Sequence, residues 1–212
     1  MSAFNLVRLG DLTSAVTITR GFPTQRTVPD GDVPVMSVAD LRNDSAPRHF
    51  ADLDAIDEAG LDFAEPGDVL VAIEGGTVGE TMVVAEGSGQ FVPSQQVAIV
   101  RVTDTAAVDP WYLGAWFATE QAREQLLRLA SGVTIQRIRI RELASLTVKL
   151  LPLSQQRDIG RRFVAFETAI KSHRAVAGCL EDLRDVDLVV AFSDPADLAA
   201  HSTHGKAGPH ER

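Results

Sequence analysis

Two acidic side chains flank one apolar run in a pattern that could hold a divalent metal. Asp68 begins the run DVLVAI and Glu74 follows it. Clustered carboxylates hold the metal in nucleases, often with a lysine beside the second acid. Gly76 stands where that lysine would be. Ordinary turn residues are therefore the better interpretation of both acids.

The glycine-rich loop at residues 74–80 (EGGTVGE) is a candidate for nucleotide binding because it follows an apolar run. It lacks the Lys-Ser/Thr ending of phosphate-binding loops, and its glycines do not have the dinucleotide-binding spacing. A tight turn is the better interpretation, so we predict no cofactor.

Histidine and cysteine give no pattern typical of zinc sites, which need several of these residues at short spacing. His201, His204 and His210 lie in a polar C-terminal tail, and Cys179 lies among helix residues as a small apolar side chain. No nucleophile can be paired with a base, and the Asn/Asp-Pro-Pro-aromatic segment of adenine methyltransferases is absent from the sequence. We therefore predict a binding module that has no catalytic residues, binds no metal and is not an enzyme.

Composition is that of an ordinary globular protein, with 45% hydrophobic and 23% charged residues in 212. No run approaches the roughly 18 apolar residues of a membrane span, and the N-terminus lacks an export signal. A single cysteine excludes an internal disulfide. These features favour the cytoplasm and no membrane partner.

The charge balance argues against one class of partner. Lysine and arginine number 20 against 29 acidic residues, which gives a formal charge of −9. Phosphate neutralisation supplies most non-specific affinity for nucleic acid, so DNA-binding domains are usually basic. A DNA-binding protein of this composition must confine its basic residues to one surface, bind DNA weakly when alone, or bind it together with a partner that supplies basic residues.

Short apolar runs bounded by Gly, Pro and Asp dominate the first part of the chain and predict strands. The runs cover residues 33–38, 68–73, 81–85 and 96–102. Their continuous apolar character predicts burial on both faces. Residues 110–129 differ: helical spacing of apolar residues, with Asp109 and Pro110 at the start and Gly132 beyond the end, predicts one helix.

After Pro152 the spacing of apolar residues predicts a long amphipathic helix of coiled-coil-like character. Its apolar stripe is Ile159, Phe163, Phe166, Ile170, Ala177, Leu180 and Leu183. The predicted fold class is therefore α+β, a mixed, strand-rich domain over residues 1–153 followed by a long helix over 154–192. Residues 193–212 are small and polar, and we expect a disordered tail there.

Five segments, in order, resemble the specificity subunits of type I restriction-modification systems, in the form that carries one target-recognition domain. They are residues 20–41 (RGFPTQRTVPDGDVPVMSVADL), 65–80 (EPGDVLVAIEGGTVGE), 93–101 (PSQQVAIVR), 111–126 and 130–159. The similarity covers about residues 6 to 185. Two departures stand out. Glu74 occupies a position where basic or neutral residues are frequent, and full-length members carry two recognition domains and two helices where this chain has room for one of each.

The resemblance implies a phage-defence role: sequence-specific binding of double-stranded DNA that directs a partner DNA adenine methyltransferase or nuclease. The candidate DNA contacts are Arg20, Thr24, Gln25, Arg26, Ser37, Asn43, Thr77, Arg137, Arg139 and Arg141. It also implies a homodimer or partner contact through the long helix, for which the candidates are Ile159, Phe163, Phe166, Ile170 and Leu180.

Two questions stay open at this level. On a strand Arg137, Arg139 and Arg141 would share one face, whereas on a helix they would spread over about 400°. Salt bridges to Glu142 or nearby acids are as good an interpretation of these arginines as phosphate contact. The acidity of the chain and Glu74 also favour an alternative function, a non-catalytic scaffold that binds a methyltransferase or defence partner without reading DNA.

Overall fold

The fold is built around a four-stranded antiparallel sheet whose order is β2-β8-β5-β6. The computed structural model describes residues 4–43, 47–132 and 135–192. In that part of the chain the strands are β1 Asn5–Arg8, β2 Val16–Arg20, β3 Val33–Met36, β4 His49–Ala51, β5 Val69–Ala72, β6 Thr81–Val83, β7 Val92–Pro93, β8 Val97–Val102 and β9 Thr147–Leu150. The α-helices are α1 Val38–Arg42, α2 Leu53–Ala59, α3 Pro110–Phe117, α4 Glu120–Leu129, α5 Ile140–Leu143 and α6 Leu153–Phe192. The predicted α+β class is confirmed.

Two smaller sheets accompany the central one. In the first, β3 lies between β4, to which it is antiparallel, and β7, to which it is parallel. In the second, β1 pairs with β9 and joins the start of the chain to the segment just before α6. The side-chain amide of Gln125 covers the other edge of β9: its Nε2 donates to the Thr147 carbonyl (3.1 Å) and its Oε1 accepts from the Thr147 amide (2.9 Å).

The centre of the sheet is buried on both faces, as the apolar runs predicted. All four residues of β5 are buried, and alternate side chains enter different clusters because side chains alternate across a strand. Val69 and Val71 pack with α3, α4 and α5, whereas Leu70 and Ala72 pack against Met36, Val84 and Phe91. A third cluster, under β3 and α2, is centred on Phe22 and Ile56.

The prediction of a single helix over residues 110–129 is wrong, because the chain forms two helices there. Asp109 caps α3 as predicted, accepting a hydrogen bond from the Tyr112 amide (2.8 Å). The break comes at Thr119, whose hydroxyl donates to the Trp116 carbonyl (2.7 Å) and accepts from the Ala122 amide (3.2 Å). One threonine thus ends α3 and caps α4.

The apolar run at residues 33–38 is also shorter as a strand than predicted. β3 ends at Met36 because Ser37 and Asp40 form a capping box that begins α1. The Asp40 amide donates to Ser37 Oγ (3.1 Å), and the Ser37 amide donates to the Asp40 carboxylate (2.9 Å). The two side chains thus satisfy two backbone donors at the start of the helix. The chain therefore begins α1 at Val38, although the apolar run predicted a strand there.

The chain divides into two compact units, Met1–Val164 and Ala165–Arg212. The first turns of α6 belong to the first unit, where the buried Gln156 side chain accepts from the Asp109 amide (3.0 Å) and donates to the Leu151 carbonyl (2.8 Å). Gly160 also packs there, since a Cβ atom would lie 2.5 Å from Asp109 Oδ1. In the second unit the structure describes α6 up to Phe192; the predicted tail, residues 193–212, lies outside the described residues.

One buried ion pair ties β8 to the loop before β5. Asp68 is 2% exposed and accepts two hydrogen bonds from Arg101, at 2.9 and 2.6 Å. Arg101 also donates to the Phe63 carbonyl (2.6 Å), and Glu65 lies 3.1 Å from its guanidinium. The hydrogen bond to Asp68 is the main cause that raises the pKa of Arg101, against the opposing effect of burial. The cation is held charged by its acidic neighbours.

We predict that Arg101→Met destabilises the protein strongly, because the buried Asp68 charge loses its partner. Breaking such a pair costs about 3–5 kcal/mol of unfolding free energy. The matched control is Arg128→Met, which removes an exposed pair with Glu124 and should cost at most about 1 kcal/mol. Urea denaturation measures both, and equal losses would contradict the structural role of Arg101.

Candidate nucleic-acid interface

Several chain segments meet at one end of the central sheet. β2 ends at Arg20, which pairs with Ala98 near the start of β8, and β5 ends at Ala72, which pairs with Val97. The Ile73 amide donates to the Gln96 carbonyl (2.8 Å), which extends this pairing beyond the strands. We call this surface the arginine end of the sheet; it comprises Arg20, Glu74, Gln95, Gln96 and Arg137.

Arg137 reaches this end through backbone pairing rather than through a strand of its own. It forms an isolated antiparallel bridge with Glu74. The Ile138 amide donates to the Ile73 carbonyl (2.8 Å), and the Gly75 amide donates to the Gln136 carbonyl (3.2 Å). The position of Arg137 is therefore fixed by main-chain hydrogen bonds on both sides.

The Glu74 carboxylate lies between two guanidinium groups. Arg20 Nη2 donates to Glu74 Oε2 (3.0 Å), and Arg137 Nη2 donates to Glu74 Oε1. Arg20 Nε additionally donates to the Gln95 carbonyl (2.7 Å). The Glu74 side chain is 18% exposed, whereas Arg20 and Arg137 are 46% and 56% exposed. The acid is thus sheltered while both cations face solvent.

Arg137, Arg139 and Arg141 do not share a strand face, so the strand alternative is wrong. Arg137 lies in the bridge described above, Arg139 precedes α5 and Arg141 lies within it. Arg139 pairs with Glu142, at 3.4 Å between Nη1 and Oε1 and 2.8 Å between the Arg139 amide and Oε2. Arg141 is exposed and forms no ion pair in the part of the chain that the structure describes.

The predicted contacts Thr24, Gln25 and Arg26 form a 3-10 turn just after β2. Arg26 is paired with Glu58 of α2 (2.7 Å), while Gln25 is exposed. The turn is connected to the arginine end by Phe22, whose amide donates to the Pro93 carbonyl (2.7 Å). The chain passes so closely there that Gly21 is required: a Cβ atom would lie 2.2 Å from the Pro93 oxygen.

Ser37 and Asn43 lie at the two ends of α1. The Ser37 hydroxyl already donates to Asp40 (2.6 Å) and accepts from its amide, whereas Asn43 is exposed at the helix end. The segment adjoins the arginine end, because the Ser94 amide donates to the Met36 carbonyl (2.8 Å).

The loop between β5 and β6 carries Thr77, another predicted contact, which is half-buried. Gly75 has a φ of +96°, a conformation that favours glycine. Gly76 is different: its φ is ordinary for any residue, it is exposed, and a Cβ atom there would meet nothing within 4 Å. The fold itself therefore does not require glycine at position 76.

Sequence reasoning missed Ser94, Gln95 and Gln96 as members of this surface. Gln96 is exposed, Gln95 is half-buried, and the Ser94 hydroxyl is buried with no hydrogen-bond partner among the described residues. A polar Ser-Gln-Gln run directly before a buried strand was the available signal. It also lay inside one of the five segments on which the resemblance rests.

The residues predicted for the helix interface fall into two groups. Ile159 and Phe163 are half-buried in the first unit. In the second unit Phe166, Ile170 and Leu180 are 67%, 42% and 62% exposed. Leu183, Val186 and Val189 extend the exposed apolar surface of that unit.

The acids considered for metal binding are engaged otherwise, Asp68 by Arg101 and Glu74 by two arginines. Within residues 4–43, 47–132 and 135–192, no group of three His, Cys, Asp or Glu side chains could hold a metal ion. His201, His204 and His210 lie outside the described residues. None of the helices described is both long and apolar enough to span a membrane.

Comparison with known proteins gives one family and several similar folds. The family model for the type I restriction modification DNA specificity domain matches residues 1–177. The S subunit of a type I restriction-modification system from M. genitalium is 18% identical with a TM-score of 0.64, over 94% of this chain and 48% of that one. The HsdS subunit from Thermoanaerobacter tengcongensis is 20% identical with a TM-score of 0.54, over 82% and 39%.

A third structure, from work on complex assembly and conformational transition of the type I R-M system, is 22% identical with a TM-score of 0.56, over 86% of this chain and 43% of that one. The chain thus spans less than half the length of each of these three structures. Comparison with curated proteins finds no match.

The open space at Gly76 gives a direct test of whether the arginine end contacts another molecule. We predict that Gly76→Leu changes the free energy of unfolding by less than about 0.5 kcal/mol, as surface substitutions do. If this surface is where DNA binds, the leucine side chain should obstruct the duplex and weaken binding. Gln90→Leu, at an exposed position in the loop after β6, is the control. Unchanged binding by the Gly76 variant would place the interface elsewhere.

Proposed function

This chain belongs to the type I restriction modification DNA specificity domain family, and on that premise we propose that it reads DNA sequence at the arginine end of its central sheet. In this proposal it binds double-stranded DNA and directs a partner DNA adenine methyltransferase or nuclease to the target. It does no chemistry of its own.

The observation that carries the proposal is the concentration of exposed donors and acceptors at one end of the sheet. Arg20 and Arg137 can donate to guanine O6 and N7, the commonest specific contact in the major groove. The amide of Gln96 can pair with adenine N6 and N7. An acidic chain thus presents arginines and amides together on a single surface.

Phosphate contacts are proposed for the neighbouring arginines. Arg141 is exposed, and Arg139 is paired with Glu142 across an exposed i,i+3 contact, which contributes little to stability. Few such contacts are available, so binding by this chain alone is weak and depends only shallowly on salt. The partner enzyme supplies the larger phosphate footprint.

A scaffold that binds the partner without reading sequence is the second candidate. Two observations favour it. The formal charge is −9, and Glu74 engages two arginines that a DNA-reading surface would use. The two functions differ in one measurable property, which is discrimination between DNA sequences.

We further propose that α6 pairs with the α6 of a second copy, forming a two-fold dimer. Phe166, Ile170 and Leu180 follow the coiled-coil-like spacing and are exposed. Exposed apolar side chains that lie together on one surface are typical of protein interfaces. Residues 154–187 measure roughly 50 Å along the helix at 1.5 Å per residue. That length corresponds to about one to one and a half turns of DNA, so a dimer would read an interrupted palindrome.

Selection from a randomised duplex pool, with and without the methyltransferase, tests sequence reading. We expect one enriched motif, bound more tightly than a scrambled duplex, with discrimination persisting in the complete complex. Arg139→Ala with Arg141→Ala should weaken all sequences alike and lower the salt slope by about 0.9 per lost phosphate contact. Gln25→Ala or Asn43→Ala should instead change base preference. Equal binding of target and scrambled duplex by the complete complex would favour the scaffold.

Sedimentation of Phe166→Asp tests the proposed dimer. We expect a folded monomer at tens of micromolar where the unaltered protein is dimeric, because each aspartate would place an unpaired charge in the apolar contact between the helices. The control is Ala175→Asp, which lies about 180° around the helix from Phe166 at 100° per residue and should leave the dimer intact. A monomeric unaltered protein, or equal effects of both variants, would contradict pairing through this face.

A further inference from the structure

The Glu74 carboxylate has an unusual position for an acid on a surface proposed to bind DNA. It contacts Arg20, at the end of β2, and Arg137, which is 63 residues further along the chain than Glu74. Its own main chain forms the bridge that places Arg137. The acid therefore connects the arginines of two separate segments.

The contacts leave most of each guanidinium available. Arginine has five N–H donors; Arg20 uses Nε for the Gln95 carbonyl and Nη2 for Glu74, and Arg137 uses Nη2 for Glu74. The remaining donors belong to side chains that are about half exposed. The orientation of each guanidinium is thus restrained, by two hydrogen bonds for Arg20 and by one for Arg137, while each keeps donors for an outside acceptor.

The charge of the cluster also depends on Glu74. Two arginines and one glutamate carry a net charge of +1, and the cluster without the glutamate charge would carry +2. Non-specific affinity for DNA follows the number of phosphates that cations neutralise. Glu74 lowers that affinity, whereas the free donors of the restrained guanidinium groups still fit the paired acceptors of a guanine edge.

Gly76 independently leaves room for another molecule to come close here. Its backbone conformation accepts any residue and a side chain would have free space, so nothing within the described fold explains the glycine. Close approach of a ligand to the backbone is a common reason for one. The glycine lies two residues from Glu74.

We propose that Glu74 is a specificity-determining positioning residue. It orients Arg20 and Arg137 for base edges and opposes their use as phosphate contacts. The proposal rests on the DNA-reading function above and adds that the acid which appears unfavourable for binding raises the ratio of specific to non-specific affinity.

The test compares three variants of the full chain. Glu74→Gln removes the charge and keeps the size, and Glu74→Asp keeps the charge but shortens the side chain. Glu86→Gln makes the same charge change at an exposed position beyond the opposite end of β6. Each is measured with the methyltransferase on the duplex selected by the unaltered protein and on a scrambled duplex, at several salt concentrations. Thermal unfolding confirms that each variant is folded.

For Glu74→Gln we expect affinity for the scrambled duplex to rise roughly three- to tenfold, with a steeper salt dependence. Discrimination should fall roughly 5- to 150-fold, the range of one good bidentate base contact. Glu74→Asp should lose discrimination without gaining non-specific affinity, and Glu86→Gln should keep the discrimination of the unaltered protein.

Three results would overturn the proposal. Unchanged discrimination in Glu74→Gln would show that the acid sets no specificity, and the DNA-reading function would stand without it. Equal effects of Glu74→Gln and Glu86→Gln would reduce the effect to net charge. If the unaltered protein selects no motif at all, the DNA-reading function is wrong and this inference falls with it.

Discussion

Burial of β5 on both faces is the constraint from which the rest of the first unit follows. A four-residue strand with every side chain buried needs apolar partners above and below, so helices α3, α4 and α5 cover one face and the segments around Met36 and Phe91 cover the other. Polar residues can then appear only where the strand leaves the core. The loop after β5 is such an exit, and it carries Glu74 directly to the surface where β2 ends and β8 begins.

The sequence predicts the elements of this fold better than their ends. An uninterrupted apolar run predicts a buried strand, and β5 and β8 lie within the runs at residues 68–73 and 96–102 that predicted them. The ends depend on single polar side chains, and the sequence alone does not show whether such a side chain continues a helix or strand or ends it. From the sequence alone Thr119 is an ordinary helix residue, whereas in the structure its hydroxyl caps α4. Ser37 lies in an apolar run that predicts a strand, whereas in the structure its hydrogen bonds with Asp40 begin α1.

Of the residues at the arginine end, the sequence predicted Arg20 and Arg137 as candidate contacts but neither Gln95 and Gln96 nor the way these residues are connected. Arg20 and Arg137 were expected on one surface, because the resemblance marks their segments. Their shared contact with Glu74 depends on pairing between Ile73 and Ile138, which no local pattern encodes. The alternation of arginine with isoleucine at residues 137–141 left both a strand and a helix open. Charge is read easily from a sequence, but the partner that neutralises it is set by tertiary structure.

The contact between Gln125 and Thr147 affects whether other protein molecules can add a strand to this sheet. A two-stranded sheet exposes hydrogen-bonding groups along its outer strand, and unpaired strand edges recruit further strands from neighbouring molecules. Here one side-chain amide occupies the donor and the acceptor of Thr147, in the manner of a third strand one residue long. The edge is blocked at the first residue of β9 from within the same molecule, which disfavours aggregation by strand addition while keeping the sheet small.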